Sequence, residues 1–311
     1  VGIMPTINAK NTSAVGYILE WKSMKDAEFL TELLKQKIKV RFSEKPFTTK
    51  SPEQTFGRGS LIVIRGDNKN VENFDDKIIE AANKFKRNLV SVNSGFSKSG
   101  PDFGSPDIKL INNQKVAILS GKYTSSLSYG ELWHFFEQQL KYPITSINTD
   151  NFGSVNLDAY NVLIIPNGYY DRLFNDNNLG KLKSWVKNGG KVIAIDGALN
   201  SFADKEGFKL KRRQTKDSTK IKTNLIPYAE RERNATNNLI TGAVFKTKVD
   251  LTHPMAFGYD SNYFTLKLGS NSYSLLDSGY NIAYIGDNPK AVSGYAGKDA
   301  LKGLDNSLVF G

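Results

Sequence analysis

The stretch KVIAIDGAL, residues 191–199, decides how the chain is read. It follows LGKLKSWVKNGG (179–190), whose apolar spacing is helical and whose Gly189–Gly190 pair is a helix stop. The run VIAI after Lys191 then reads as a buried parallel strand leading into a turn at Asp196–Gly197. In α/β hydrolytic folds a turn of this kind presents a nucleophile at the top of the sheet, a Ser in the best-known case. Here Asp196 occupies that position. The turn is therefore an active site, a scaffold without its chemistry, or a strand that ends in Asp-Gly.

Working outward, strand and helix patterns alternate. QKVAILSG (114–121), ITSINTD (144–150) and YNVLIIPNG (160–168) read as strands. SYGELWHFFEQQLKY (128–142) reads as a helix with Leu132, Phe135, Phe136 and Leu140 as its apolar stripe. Parallel strands joined by helices imply a doubly wound sheet. The first part of the chain has a similar cycle. Strands are expected within 14–21, 38–44, 59–66 and 89–94, with helices after Ser23 and over 74–86. Ser23 and Asp26 form a candidate capping pair. SGFSKSGPDFGSPD (94–107) is rich in Gly, Ser and Pro and reads as a linker. The expected division is a smaller α/β domain over 1–106 and a doubly wound α/β domain over 107–311. Beyond about residue 240 the patterns AVFKTKVD, YFTLKL, NIAYIG and NSLVFG suggest shorter strands in a mixed sheet.

Of the 311 residues, 39% are hydrophobic and none is Cys. That excludes thiolate nucleophiles, thiolate metal sites and disulfides. No apolar run reaches the roughly 20 residues of a membrane span. The net charge is +11, and the densest basic run is KLKRRQTKDSTKIK (209–222). It contains no interleaved aromatic residue and no nucleic-acid motif, so it reads as a solvated loop rather than a nucleic-acid patch. The chain opens VGIMPTINAK without an initiator Met and ends in DNSLVFG inside a strand-like pattern. It is read as a piece of a longer polypeptide.

KVAILSG, DAYNVLIIPNGYY, LKSWVKNGGKVIAIDGAL and THPMAFGY together resemble the class I glutamine amidotransferase-like fold, which is flavodoxin-like. More closely, they resemble the version that follows the peptidase domain in large bacterial zinc carboxypeptidase-like proteins. LLKQKIKVRFSEKPF, FGRGSLIVIRGDN and SGPDFGS resemble the segment joining the two domains in those proteins. The resemblance implies a secreted or periplasmic, hence extracytoplasmic, protein. It implies a partner in the same polypeptide, an upstream carboxypeptidase domain, with zinc held there and no cofactor in this chain.

Each chemistry of that family makes demands on particular residues. The zinc site needs a His-x-x-Glu pair, a distant His and a Glu as general base. The chain has only His134 and His253. HFFE (134–137) matches His-x-x-Glu, but on a helix whose buried stripe holds Phe135 and Phe136, so His134 and Glu137 fall on the polar face. His253 precedes Pro254 and reads as a turn residue. The amidotransferase chemistry needs a Cys at the elbow, and a carboxylate at Asp196 cannot replace it. Asp196 is expected instead to cap the turn that follows. Glu131 is a candidate acid near the elbow, but Ser128-x-x-Glu131 is also a capping box, which alone explains the Glu and is the expectation here. Tyr169 and Tyr170 follow LIIPNG at the C-terminal end of a central strand, where open α/β sheets bind ligands. Exposed, such a pair suits sugar or peptide, and the alternative reading is packing against the neighbouring domain. The leading expectation is a non-catalytic accessory region that stabilises the upstream peptidase or positions its substrate. The alternatives are an independent module binding a glycan or peptide through Tyr169, Tyr170 and Glu131, and a hydrolase using Glu131, His134 and Asp196.

Overall fold

A computed structural model describes residues 7–213 and 227–311. The chain divides into two compact units between Ser201 and Phe202. Each is a mixture of helices and sheets. Most of the basic run expected as a solvated loop lies outside the described residues, which resume at Pro227.

The first unit begins with β1 (Gly16–Leu19), α1 (Met24–Lys35), β2 (Arg41–Ser43), β3 (Phe47–Thr49), β4 (Thr55–Phe56) and β5 (Leu61–Ile64). It continues with α2 (Phe74–Lys84), β6 (Val90–Val92), β7 (Ser97–Ser99) and β8 (Ile108–Leu110). Five of these strands form a sheet in the order β6-β1-β5-β2-β8, antiparallel at every pairing. The remaining three form a small sheet in the order β4-β3-β7. Tyr17, Leu19, Leu61 and Val63 pack with Phe29, Leu33, Phe74 and Ile78 of the helices. Ile18 and Ile62, on the opposite face, pack with Phe47, Phe56 and Phe103. This double cover explains why β1 and β5 are apolar throughout although their sheet is antiparallel. The Gly/Ser/Pro-rich stretch expected as a linker belongs to this cover, since β7 pairs with β3 and Phe103 lies in the core. The Ser23–Asp26 pair forms as expected, with Asp26 Oδ2 accepting the Ser23 N–H at 2.6 Å.

The change of sheet falls between Leu110 and Val116. There follow β9 (Val116–Ser120), α3 (Ser126–His134), β10 (Ile144–Asn148), β11 (Val162–Ile165), α4 (Asp176–Lys187) and β12 (Lys191–Ala194). The four strands are all parallel, in the order β10-β9-β11-β12. The strands expected within 114–121, 160–168 and 191–199 fall in one parallel sheet, as the sequence pattern implies. Val116, Ile118 and Ile164 pack with Tyr129, Leu132, Trp133 and Phe136. β12 is not the buried strand expected. Among the described residues it lies at the sheet edge, and Ile193 is half exposed.

The second unit contains α5 (Tyr228–Thr236), β13 (Ile240–Val249), β14 (Asn262–Lys267), β15 (Ala283–Ile285), β16 (Ala291–Ala296), α6 (Lys298–Leu304) and β17 (Ser307–Phe310). Its sheet is antiparallel rather than mixed. The long strand β13 pairs with β14 on one side and with β16 and then β15 on the other. Ile240, Ala243 and Phe245 pack with Ile285, Ala300 and Leu304 as its core.

Candidate functional site

In the parallel sheet β10 lies to one side of β9 and β11 to the other. The chain direction across the sheet therefore reverses between β9 and β11, and a crevice forms beyond the C-terminal ends of two such strands. The loops after β9 and β11 build it. Thr124 and Gly168 form an antiparallel bridge, and the Tyr169 N–H donates to the Tyr123 carbonyl at 2.9 Å. The cavity between the loops has a volume of about 320 Å³. Lys122, Tyr123, Thr124, Ser125, Asn167 and Tyr169 line it together with Gly168. Gly168 is required by close approach, because a Cβ there would meet the Tyr123 carbonyl and the Tyr170 ring. Lys122 is the only charged residue of the lining, and its ammonium lies 5.7 Å from the centre of the Tyr123 ring.

The two tyrosines have opposite fates. Tyr169 is 88% exposed. Tyr170 is fully buried, its ring tilted against Phe174, and its hydroxyl donates to the Pro166 carbonyl at 3.0 Å. The expectation of an exposed pair is thus corrected: consecutive residues in this extended loop project to opposite sides, so only Tyr169 can touch a ligand. Burial pushes the Tyr170 hydroxyl up from its ordinary value despite the hydrogen bond to Thr124.

Ser125, not Ser128, caps α3, and its Oγ accepts the Ser128 N–H at 3.5 Å. Ser128 and Glu131 are therefore inside the helix and do not form a capping box. The Ser128 hydroxyl instead accepts the Asn167 N–H at 3.1 Å. Glu131 and His134 are exposed, and neither side chain forms a hydrogen bond or ion pair among the described residues. Glu137 accepts from the Trp133 indole N–H at 2.5 Å on the same helix face. His253 caps a short turn, its Nδ1 accepting the Met255 N–H at 3.2 Å.

Asp196 begins the turn after β12 with φ of 49°, a left-handed conformation an Asp tolerates. Its carboxylate does not cap the turn. The Gly197 N–H that it was expected to bind goes to Asn167 Oδ1 at 3.1 Å. Asn167 also accepts the Ser125 N–H at its carbonyl, 2.9 Å away. One residue thus ties the loop after β11 to the start of α3 and to the elbow. Sequence reasoning overlooked Asn167. Its signal is the Pro-Asn-Gly turn, residues 166–168, that follows an apolar strand.

No protein-family model, curated protein or solved structure matches the chain.

Among the described residues no three His, Asp or Glu side chains cluster as a metal site would require. No helix among them is long and apolar enough to cross a membrane. What the crevice offers is a preformed polar cavity with one cation, one exposed aromatic ring and hydroxyl and amide groups.

Proposed function

We propose that this chain is a non-catalytic accessory region of an extracytoplasmic zinc carboxypeptidase-like polypeptide. It has a flavodoxin-like, class I glutamine amidotransferase-like part whose crevice holds a segment of peptide for an upstream peptidase domain. The observation that carries the reading is the pairing of a formed crevice with an idle elbow. Asn167 occupies the N–H of Gly197 that an oxyanion or a carboxylate cap would use. Among the described residues Asp196 has no hydrogen-bonded base beside it, and an unactivated carboxylate does not attack an amide. The crevice has the composition of a binding site: Tyr169 supplies a large, rigid contact face, and Lys122 a charge that seeks a carboxylate or carbonyl.

The test is calorimetric titration of the chain with short peptides, repeated with Tyr169→Ala. Because Tyr169 is exposed, the variant keeps the stability of the parent while its peptide affinity falls. Release of C-terminal residues by the chain alone, or equal affinities for parent and variant, would overturn the proposal.

A further inference from the structure

The second unit carries a separate cavity of about 460 Å³ where β13 changes partners. Pairing with β16 ends at Phe245 and Ala291, and pairing with β15 begins at Lys248 and Tyr284. Among the described residues Lys246 and Thr247 therefore face no strand residue on that side. The loop Gly286–Lys290 spans the gap and forms the rim. That rim is held in place: Asn288, at φ of 51°, donates its N–H to Asp305 Oδ1 at 2.8 Å, and Asp287 accepts from the Asn306 amide. Gly286 leaves room for the Lys248 stem, since a Cβ there would stand 2.9 Å from Lys248 Cε.

The cavity is cationic. Lys246, Lys248 and Lys290 line it against Asp287, and among the described residues none of the three lysines has an ion-pair partner. Next to it lies an apolar stripe on the same sheet face. Lys248 stands opposite Asn262, Lys246 opposite Phe264 and Val244 opposite Leu266, and directly opposed residues share a face. Phe264 is 50%, Leu266 61% and Leu268 74% exposed. A run of exposed apolar residues ending in three lysines against one carboxylate, with the Lys248 ammonium 5.9 Å from the centre of the Tyr284 ring, complements a ligand that is apolar along its length and anionic at its end. Ser261, Asn262 and Asn288 add amide and hydroxyl groups at the rim, which match the main chain of a peptide and have no counterpart in a hydrocarbon tail.

We propose that this surface binds the carboxyl-terminal end of an extended apolar peptide, the side chains on Phe264, Leu266 and Leu268 and the terminal carboxylate among Lys246, Lys248 and Lys290. The site is separate from the crevice and does not depend on it.

The experiment uses the full chain and a fluorescein-labelled octapeptide of Ser, Leu and Phe ending in Leu-Phe, as the free acid and as the C-terminal amide, read by anisotropy. The free acid binds about tenfold more tightly than the amide, the margin of one charge-assisted contact. Lys246→Gln with Lys290→Gln removes that margin and leaves amide binding unchanged, while Leu266→Ser weakens both forms. The series is repeated in a Tyr169→Ala background, where crevice binding is weakened, and the acid-over-amide margin and its loss in the double lysine variant persist there, which separates this site from the crevice. Circular dichroism confirms that each variant is folded. Equal affinity for acid and amide, no binding of either, or parental affinity in the double lysine variant overturns the proposal. So does binding of dodecanoate or of phosphatidylserine vesicles where the peptide acid fails, which assigns the surface to an anionic amphiphile.

Discussion

Asn167 Oδ1 accepts the backbone N–H of Gly197 at 3.1 Å, across 30 residues of sequence. This bond joins the loop after β11 to the elbow after β12. With the Ser125 and Ser128 bonds it makes Asn167 the common support of the crevice wall.

Replacing Asn167 by Ala leaves the Gly197 N–H without its acceptor. The expected loss of stability is about 1 kcal/mol, the cost of one such bond. Urea denaturation shows it as a lower midpoint with an unchanged slope. Peptide affinity in the crevice falls as well, because the loop is no longer fixed.

Gly197→Ala is expected to cost more, about 1–3 kcal/mol. The added methyl would stand 2.9 Å from the Gly168 carbonyl and closer still to Asn167 Oδ1. The two loops must separate to admit it. Thermal denaturation measures the loss, and a stability equal to the parent's would refute the close approach.

At Asp196 the backbone matters and the carboxylate does not. Asp196→Asn, which also tolerates the left-handed conformation, stays within about 0.5 kcal/mol of the parent. Asp196→Val, β-branched at positive φ, loses about 1–2 kcal/mol. A drop in peptide binding with Asp196→Asn at unchanged stability would make the carboxylate functional.

Stability at alkaline pH depends on Tyr17. Its hydroxyl donates to Asp75 Oδ1 at 2.7 Å, beside the Arg65 guanidinium. Burial, then the bond to Asp75, pushes the phenol up to about 12. A raised folded pKa means the contribution is complete below the unfolded value of about 10 and is lost as pH rises toward and through the folded value. Urea midpoints at pH 8 and 11 fall in the parent and fall less in Tyr17→Phe.

Zinc titrated into the chain is expected to give no stoichiometric submicromolar heat. Two His and no Cys leave no nitrogen- or sulfur-rich set of three ligands, and His253 is committed to its turn. Stoichiometric binding, or peptide cleavage abolished by a chelator, would promote the hydrolase reading.

Local patterns were legible in the sequence because they are made by neighbours along the chain. The 3.6-residue period of α1 and α2, the capping pair at Ser23 and Asp26, and the apolar runs of β9, β11 and β12 all belong to this class. The absence of Cys settled which chemistries the chain lacks before any fold was known. Only the tertiary structure decided the rest. An apolar run fixes neither burial nor the direction of its partners: β12 lies at the sheet edge among the described residues with Ile193 half exposed, β5 is enclosed by helices and a second sheet and is antiparallel, and β11 is parallel. Likewise Tyr169 and Tyr170 are chemically equal in sequence, and the packing of Phe174 and Pro166 buries one and leaves the other in solvent. In sequence the elbow shows only Asp196, whereas the Gly197 N–H is held by Asn167, a residue that only the adjacency of β11 and β12 brings within reach. Secondary structure is set by short-range sterics and periodicity, and the crevice by which strand ends the sheet places side by side.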